Sequence, residues 1–188
     1  MSIFKKSAPF LLMLGLFAMA FLLMPSATAA DNPKAKMDSE EVTKLLGEVQ
    51  TEAVELKMDA EKMESYTISK LSWESHAHAV QQIREHVNAA GRLLTRLNEN
   101  RALASPWQEQ AIDEITPLLR ELAANTTAVI EHLDANKTRL HSAEYKEYLT
   151  ANYEVSKELS ALITDFVDYA KHKNKFEYLT NKLEIQRK

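Results

Sequence analysis

Cysteine is absent from all 188 residues. That absence excludes disulfides, thiolate nucleophiles, cysteine metal ligands, covalent haem attachment and a lipid-modified cysteine. Glycine and proline are scarce. Beyond residue 30 only Gly47, Gly91, Pro33, Pro106 and Pro117 remain, too few to punctuate sheets with many turns. No glycine-rich phosphate loop, zinc spacing, H-E-x-x-H or Ser-His-Asp arrangement is present, so no catalytic motif points to an enzyme. Positive charge is also in deficit, with a net charge of −4, which argues against nucleic-acid binding.

What is present begins with an address. Lys5 and Lys6 precede an uncharged, largely apolar run from Ser7 to Met24, followed by Pro25, Ser26 and the small residues Ala27 to Ala30. Basic, apolar and small-residue regions in that order predict a signal peptide over 1–30, cleaved after Ala29 or Ala30. The expected location is periplasmic or secreted. The alternative is an uncleaved N-terminal membrane anchor, although the run is shorter than the roughly 20 apolar residues of a spanning helix. Removing the segment leaves about 158 residues with 21 basic and 27 acidic side chains, a net of −6. That length buries a core without disulfides.

Apolar spacing sets the fold class. Val42, Leu46, Val49, Ala53, Leu56, Ala60 and Met63 recur in alternating steps of four and three. This period of about 3.5 marks helices packed side by side. The same habit runs through Trp73, His76, Val80, Ile83, Val87, Ala90, Leu94 and Leu97. A third seam reads Ile112, Ile115, Leu119, Leu122, Thr126, Val129, Leu133, Asn136 and Leu140. A fourth reads Tyr145, Tyr148, Asn152, Val155, Leu159, Leu162, Phe166 and Tyr169. Ser69 or Ser72, Ser105 with Pro106 and Gln108, and Ser142 supply helix starts. The expectation is all-α: an up-down-up-down antiparallel four-helix bundle with helices near 38–67, 72–103, 106–140 and 143–185. Residues 31–37 form a flexible start, 38–174 the bundle, and 175–188 a basic amphipathic extension. Long helices of this period can also complete a core by homodimerising.

Pairing antiparallel helices about the short connections places residues at matching heights. Gly47, Gly91, Pro117 and Phe166 then form a waist, either a pocket at a kink or close packing around one. His76 falls level with His132 and Asn152. That level is read as a buried polar layer fixing register, with a transition-metal site as the alternative. His76 and His78, two apart, point to nearly opposite sides and cannot share one ion. His86 and His141 are read as surface residues with no partner. Trp73 and Trp107 lie in first turns near opposite ends. Asn125 and Asn136 begin glycosylation sequons, read as chance matches.

The tail differs from the rest. Residues 171–188 carry Lys171, Lys173, Lys175, Lys182, Arg187 and Lys188 against Glu177 and Glu184, a net of +4. Phe176, Leu179 and Leu183 form an apolar stripe among them. The expectation is a basic amphipathic helix that docks on an anionic membrane surface or an acidic protein partner, with folding back on residues 31–38 or a solvated extension as the alternative.

Pro106-Trp107-Gln108, Ala111-Ile112-Asp113, Pro117-Leu118-Leu119, Glu121-Leu122-Ala123 and Asn125-Thr126 together resemble a pattern in exported bacterial all-helical proteins with no assigned activity. The resemblance extends weakly to Asp165 through Tyr169. The plan is also similar to the soluble periplasmic b-type cytochrome bundle. That similarity implies a non-covalent haem held by Met37 and His172. The function expected first is a non-enzymatic bundle without cofactor, acting through protein or membrane contacts. A metal- or haem-binding bundle is the alternative.

Overall fold

The computed structural model describes residues 36–69 and 71–183. The signal-peptide expectation, and Glu184, Arg187 and Lys188 of the tail, lie outside them. The described chain forms four long helices and two short 3₁₀ turns, with no strand among the described residues. They are α1 (Glu40–Ser65), α2 (Trp73–Glu99), α3 (Pro106–Ala135) and α4 (Ala143–Lys182). The 3₁₀ turns are Tyr66–Ile68 and Arg101–Leu103. Helix α1 packs on α2 and α4, and α3 packs on the same two.

Local chemistry starts each helix. The Ser39 hydroxyl accepts from the Val42 amide at 3.3 Å, Ser72 from Ser75 at 3.4 Å and Ser142 from Tyr145 at 3.2 Å. Glu40, Glu41, Glu74, Glu109 and Glu144 lie in first turns, where the helix dipole favours a negative charge. Helix α3 opens with Pro106, and Gln108 Oε1 accepts the Ser105 amide at 2.9 Å, the return bond of a capping box.

Helices α2 and α3 stop about a turn short of their expected ends. Helix α2 ends at Glu99 rather than near 103, and the chain continues as the 3₁₀ turn. Helix α3 ends at Ala135 rather than 140. Asn136 is the cause: its amide and its side-chain Nδ2 both donate to the His132 carbonyl, at 2.9 and 3.2 Å. A side chain competing for a terminal carbonyl favours ending over continuation. Leu140 still reaches the core, folded in from the connection.

Every seam residue of α1 is buried, and most of those of α2 and α3 are. Helix α4 departs from its seam after Leu159. The buried positions are Tyr145, Leu149, Asn152, Val155, Ser156, Leu159, Ser160, Ile163 and Ala170, while Leu162 and Phe166 are only half-buried and Tyr169 is 50% exposed. The small residues Ser156, Ser160 and Ala170 are among the buried positions, and the Ser156 hydroxyl donates to the Tyr153 carbonyl at 2.8 Å. Larger apolar side chains are displaced to the flank facing α3.

Candidate functional site

His76 is fully buried. Its Nδ1 lies 2.8 Å from the Tyr145 hydroxyl, and its ring meets Tyr66 edge-on at 5.3 Å. His132 also stacks on Tyr145, at 5.1 Å, and meets Tyr148 at 5.9 Å. The expected pairing of His76 and His132 at one level is thus present, joined through Tyr145. Tyr145 had been read only as a seam residue. Trp73 anchors the same region, donating from Nε1 to the Leu133 carbonyl at 2.9 Å under the Lys137 ammonium.

This cluster is apolar in its electrostatics. Burial pushes the Tyr145 hydroxyl well above the ordinary phenol range, so it stays neutral. Burial, with a smaller contribution from the charge of His141, holds the His76 imidazole below its ordinary value of 6.5. His76 Nε2 is buried without a hydrogen-bond partner among the described residues. In either tautomer one function of that nitrogen is unanswered. No group of three or more His, Asp or Glu with metal-binding geometry occurs among the described residues.

Asn152 does not complete this layer. It lies two turns further along α4, where its Oδ1 accepts from the buried Thr126 hydroxyl at 3.4 Å. The waist is also corrected. A Cβ built on Gly47 or Gly91 meets no heavy atom within 4 Å, so neither glycine permits a close approach. Pro117 is exposed within an unbroken α3, and Phe166 instead lines a lateral groove. His86 has partners after all: Glu52 Oε2 at 2.8 Å and Asp59 Oδ2 at 3.5 Å, both from α1.

A second polar junction ties the segment before α1 to α3 and α4. Asp38 accepts from Trp107 Nε1 at 2.7 Å and from Lys173 Nζ at 2.6 Å. Burial raises the Asp38 carboxyl, but the hydrogen bonds, led by that from Lys173, outweigh it and hold the group below the ordinary carboxylate range. Beside it Gln108, fully buried, accepts from the Ser39 and Ser105 amides and donates to the Ser39 carbonyl and the Thr43 hydroxyl. All four of its hydrogen-bonding functions are used. The capping bond of Gln108 to Ser105 is local and legible in the sequence, but the ties to Ser39 and Thr43, and that of Asp38 to Trp107, join residues more than 60 apart and leave no local signal.

Met37 and His172 do not suit a haem. Met37 is 86% exposed, and its groove is walled by charges including Lys36, Asp38, Lys44, Lys173 and Glu177. His172 is exposed. Haem ligation wants an apolar, water-excluding pocket.

The tail's lysines divide into two sets. Lys173 is taken by Asp38, and Lys171 pairs with Asp168 at 2.9 Å. Lys175 is exposed, and Lys182 sits 5.7 Å above the Tyr178 ring. Ala170 is the last buried residue of α4, yet the helix runs a further twelve residues. On that length Phe176, Tyr178, Leu179 and Leu183 are 56, 61, 40 and 60% exposed. Leu162, Tyr169, Phe176 and Leu183 recur every seven residues, so the apolar line of the α3–α4 flank continues onto the projecting segment. No described helix is long and apolar enough to cross a membrane. No protein-family model, curated protein or solved structure matches the chain.

Proposed function

We propose that this is a non-enzymatic exported helical bundle that acts by contact, docking the C-terminal end of α4 on an anionic membrane surface. The observation that carries the reading is the run of exposed Phe176, Tyr178, Leu179 and Leu183 on a helix that outlasts its core. Lys175 and Lys182 are seven residues apart and so share one side of that helix. Aromatic and aliphatic side chains bordered by lysines are the pattern of a helix lying in a headgroup layer. The remaining mature chain is acidic, at −10 against +4 for residues 171–188, which turns this end toward a negative surface.

The same proposal includes an up-down-up-down antiparallel course. Support comes from pairs whose numbers fall on one helix as they rise on the other. Between α1 and α2, Arg96 pairs with Glu41 while His86 pairs with Glu52. Between α1 and α4, Thr150 bonds Glu64 and Thr164 bonds Gln50. Such a course leaves the end of α4 beside the start of α1.

The test is co-sedimentation of the protein, recovered from a bacterial periplasm, with vesicles containing anionic lipid. Binding that weakens with salt is expected. It is lost when residues 175–188 are removed and in the double variant Leu179→Glu, Leu183→Glu, with helicity unchanged. Equal sedimentation of these variants would refute the reading.

A further inference from the structure

A groove of about 400 Å³ lies between the first turns of α3 and the flank of α4, lined by Trp107, Gln110, Leu162, Asp165, Phe166 and Tyr169. Half of its lining is aromatic. The Trp107 and Tyr169 rings meet edge to face at 5.4 Å with 64° between their planes, so they stand at an angle to each other along the groove. Trp107 is fixed there, because its Nε1 donates to Asp38, which is itself held by Lys173. Phe166 and Tyr169 stand on the flank of α4, off its buried line.

Asp165 supplies the formal charge of the groove. It is exposed and pairs with no cation among the described residues. The nearby Lys173 is already spent on Asp38. The positive end of the α3 dipole is partly answered by Asp38, Glu109 and the Gln108 capping bond. A cation over ring faces gains from their quadrupoles, and a carboxylate at the rim adds to that attraction. The volume matches a small ligand. An anion would meet Asp165 unfavourably, and a neutral apolar molecule would leave the carboxylate unused.

We infer that this groove binds a small organic cation with apolar substituents, a quaternary ammonium of the choline type. The site is independent of the α4 tail proposed above. Aromatic faces bind the substituted nitrogen and Asp165 balances its charge.

The probes are choline and its neutral isostere 3,3-dimethylbutanol, titrated by NMR on the purified protein while the Trp107 indole signal is followed. Choline is expected to saturate the signal, with the isostere binding at least about tenfold more weakly. Tyr169→Leu keeps the apolar bulk at a half-exposed position and should weaken choline about fivefold or more while sparing the isostere. Asp165→Asn should weaken choline alone. Equal binding of the two probes would show an apolar groove and overturn the proposal. So would unchanged choline binding in Tyr169→Leu, or no saturation at tens of millimolar.

Discussion

Acidification should loosen the region around His76. The imidazole is fully buried, with one hydrogen bond to Tyr145 and an orphaned Nε2. Around it stand Tyr66 from the turn after α1, His132 from α3, Tyr145 from α4 and His141 from the connection. None of these offers a negative charge, and no carboxylate pairs with His76 among the described residues. Glu144 reaches only as far as His132, at 4.0 Å. The folded chain therefore favours the neutral ring, and its pKa lies below the unfolded value of 6.5. A depressed histidine makes the unfolded chain the stronger proton binder, so stability falls as pH drops below about 6.5. In the limit where folded His76 stays neutral, the loss between pH 7.5 and 5.5 is about 1.4 kcal/mol, or tenfold in the folding equilibrium. Urea unfolding at a series of pH values measures it. Comparison with His76→Gln, which keeps a neutral hydrogen-bonding group, isolates the contribution of this residue from the other histidines. The variant should lose most of that pH dependence, whatever its absolute stability. An identical pH slope in both proteins would refute the reasoning.

Other perturbations follow from the same geometry. Gly47→Ala and Gly91→Ala each add a methyl into open space on a helix, and should each raise stability by about 1 kcal/mol in thermal or urea unfolding. Gln108→Leu strands the Ser39 and Ser105 groups it satisfied, and should cost about 2–4 kcal/mol by the same measurement. Asp38→Asn removes the charge that Lys173 meets and weakens the tie to Trp107, at a cost of about 1–2 kcal/mol. Because the Asp38 carboxyl is depressed, its contribution is present above the ordinary carboxylate pKa of 3.8 and fades as pH falls below it, so the cost should shrink in acid.

Much of the fold is written locally. In α1 every residue at four-three spacing is buried, joined by Leu45 beside the line, while Val54 and Met58 off it stay exposed. In α4 two lines compete. Beyond Leu159 the bulky Leu162, Phe166 and Tyr169 lie off the core, while Ser160, Ile163 and Ala170 are buried. Side-chain size and apolarity alone favour the wrong line there, since a helix packed among neighbours can bury smaller side chains. The histidine level was half legible: paired heights brought His76 to His132 but carried Asn152 two turns too close. The ties of Gln108 to Ser39 and Thr43, and of Asp38 to Trp107 and Lys173, are long-range and leave no periodic trace, whereas the Ser105–Gln108 capping box is local and legible. Nor do the partners of His86, which depend on how α1 and α2 are rotated about their axes. The tail was the clearest signal, because its charge and apolar stripe are contiguous in the chain.

Contact through the end of α4 is most directly tested by amide hydrogen exchange, with and without anionic vesicles. Exposed terminal turns of a helix exchange readily when free. The account predicts that vesicles slow exchange across about residues 171–183 and leave α1, α2 and α3 unchanged. Unaltered exchange in that stretch, or protection confined to another face, would contradict it.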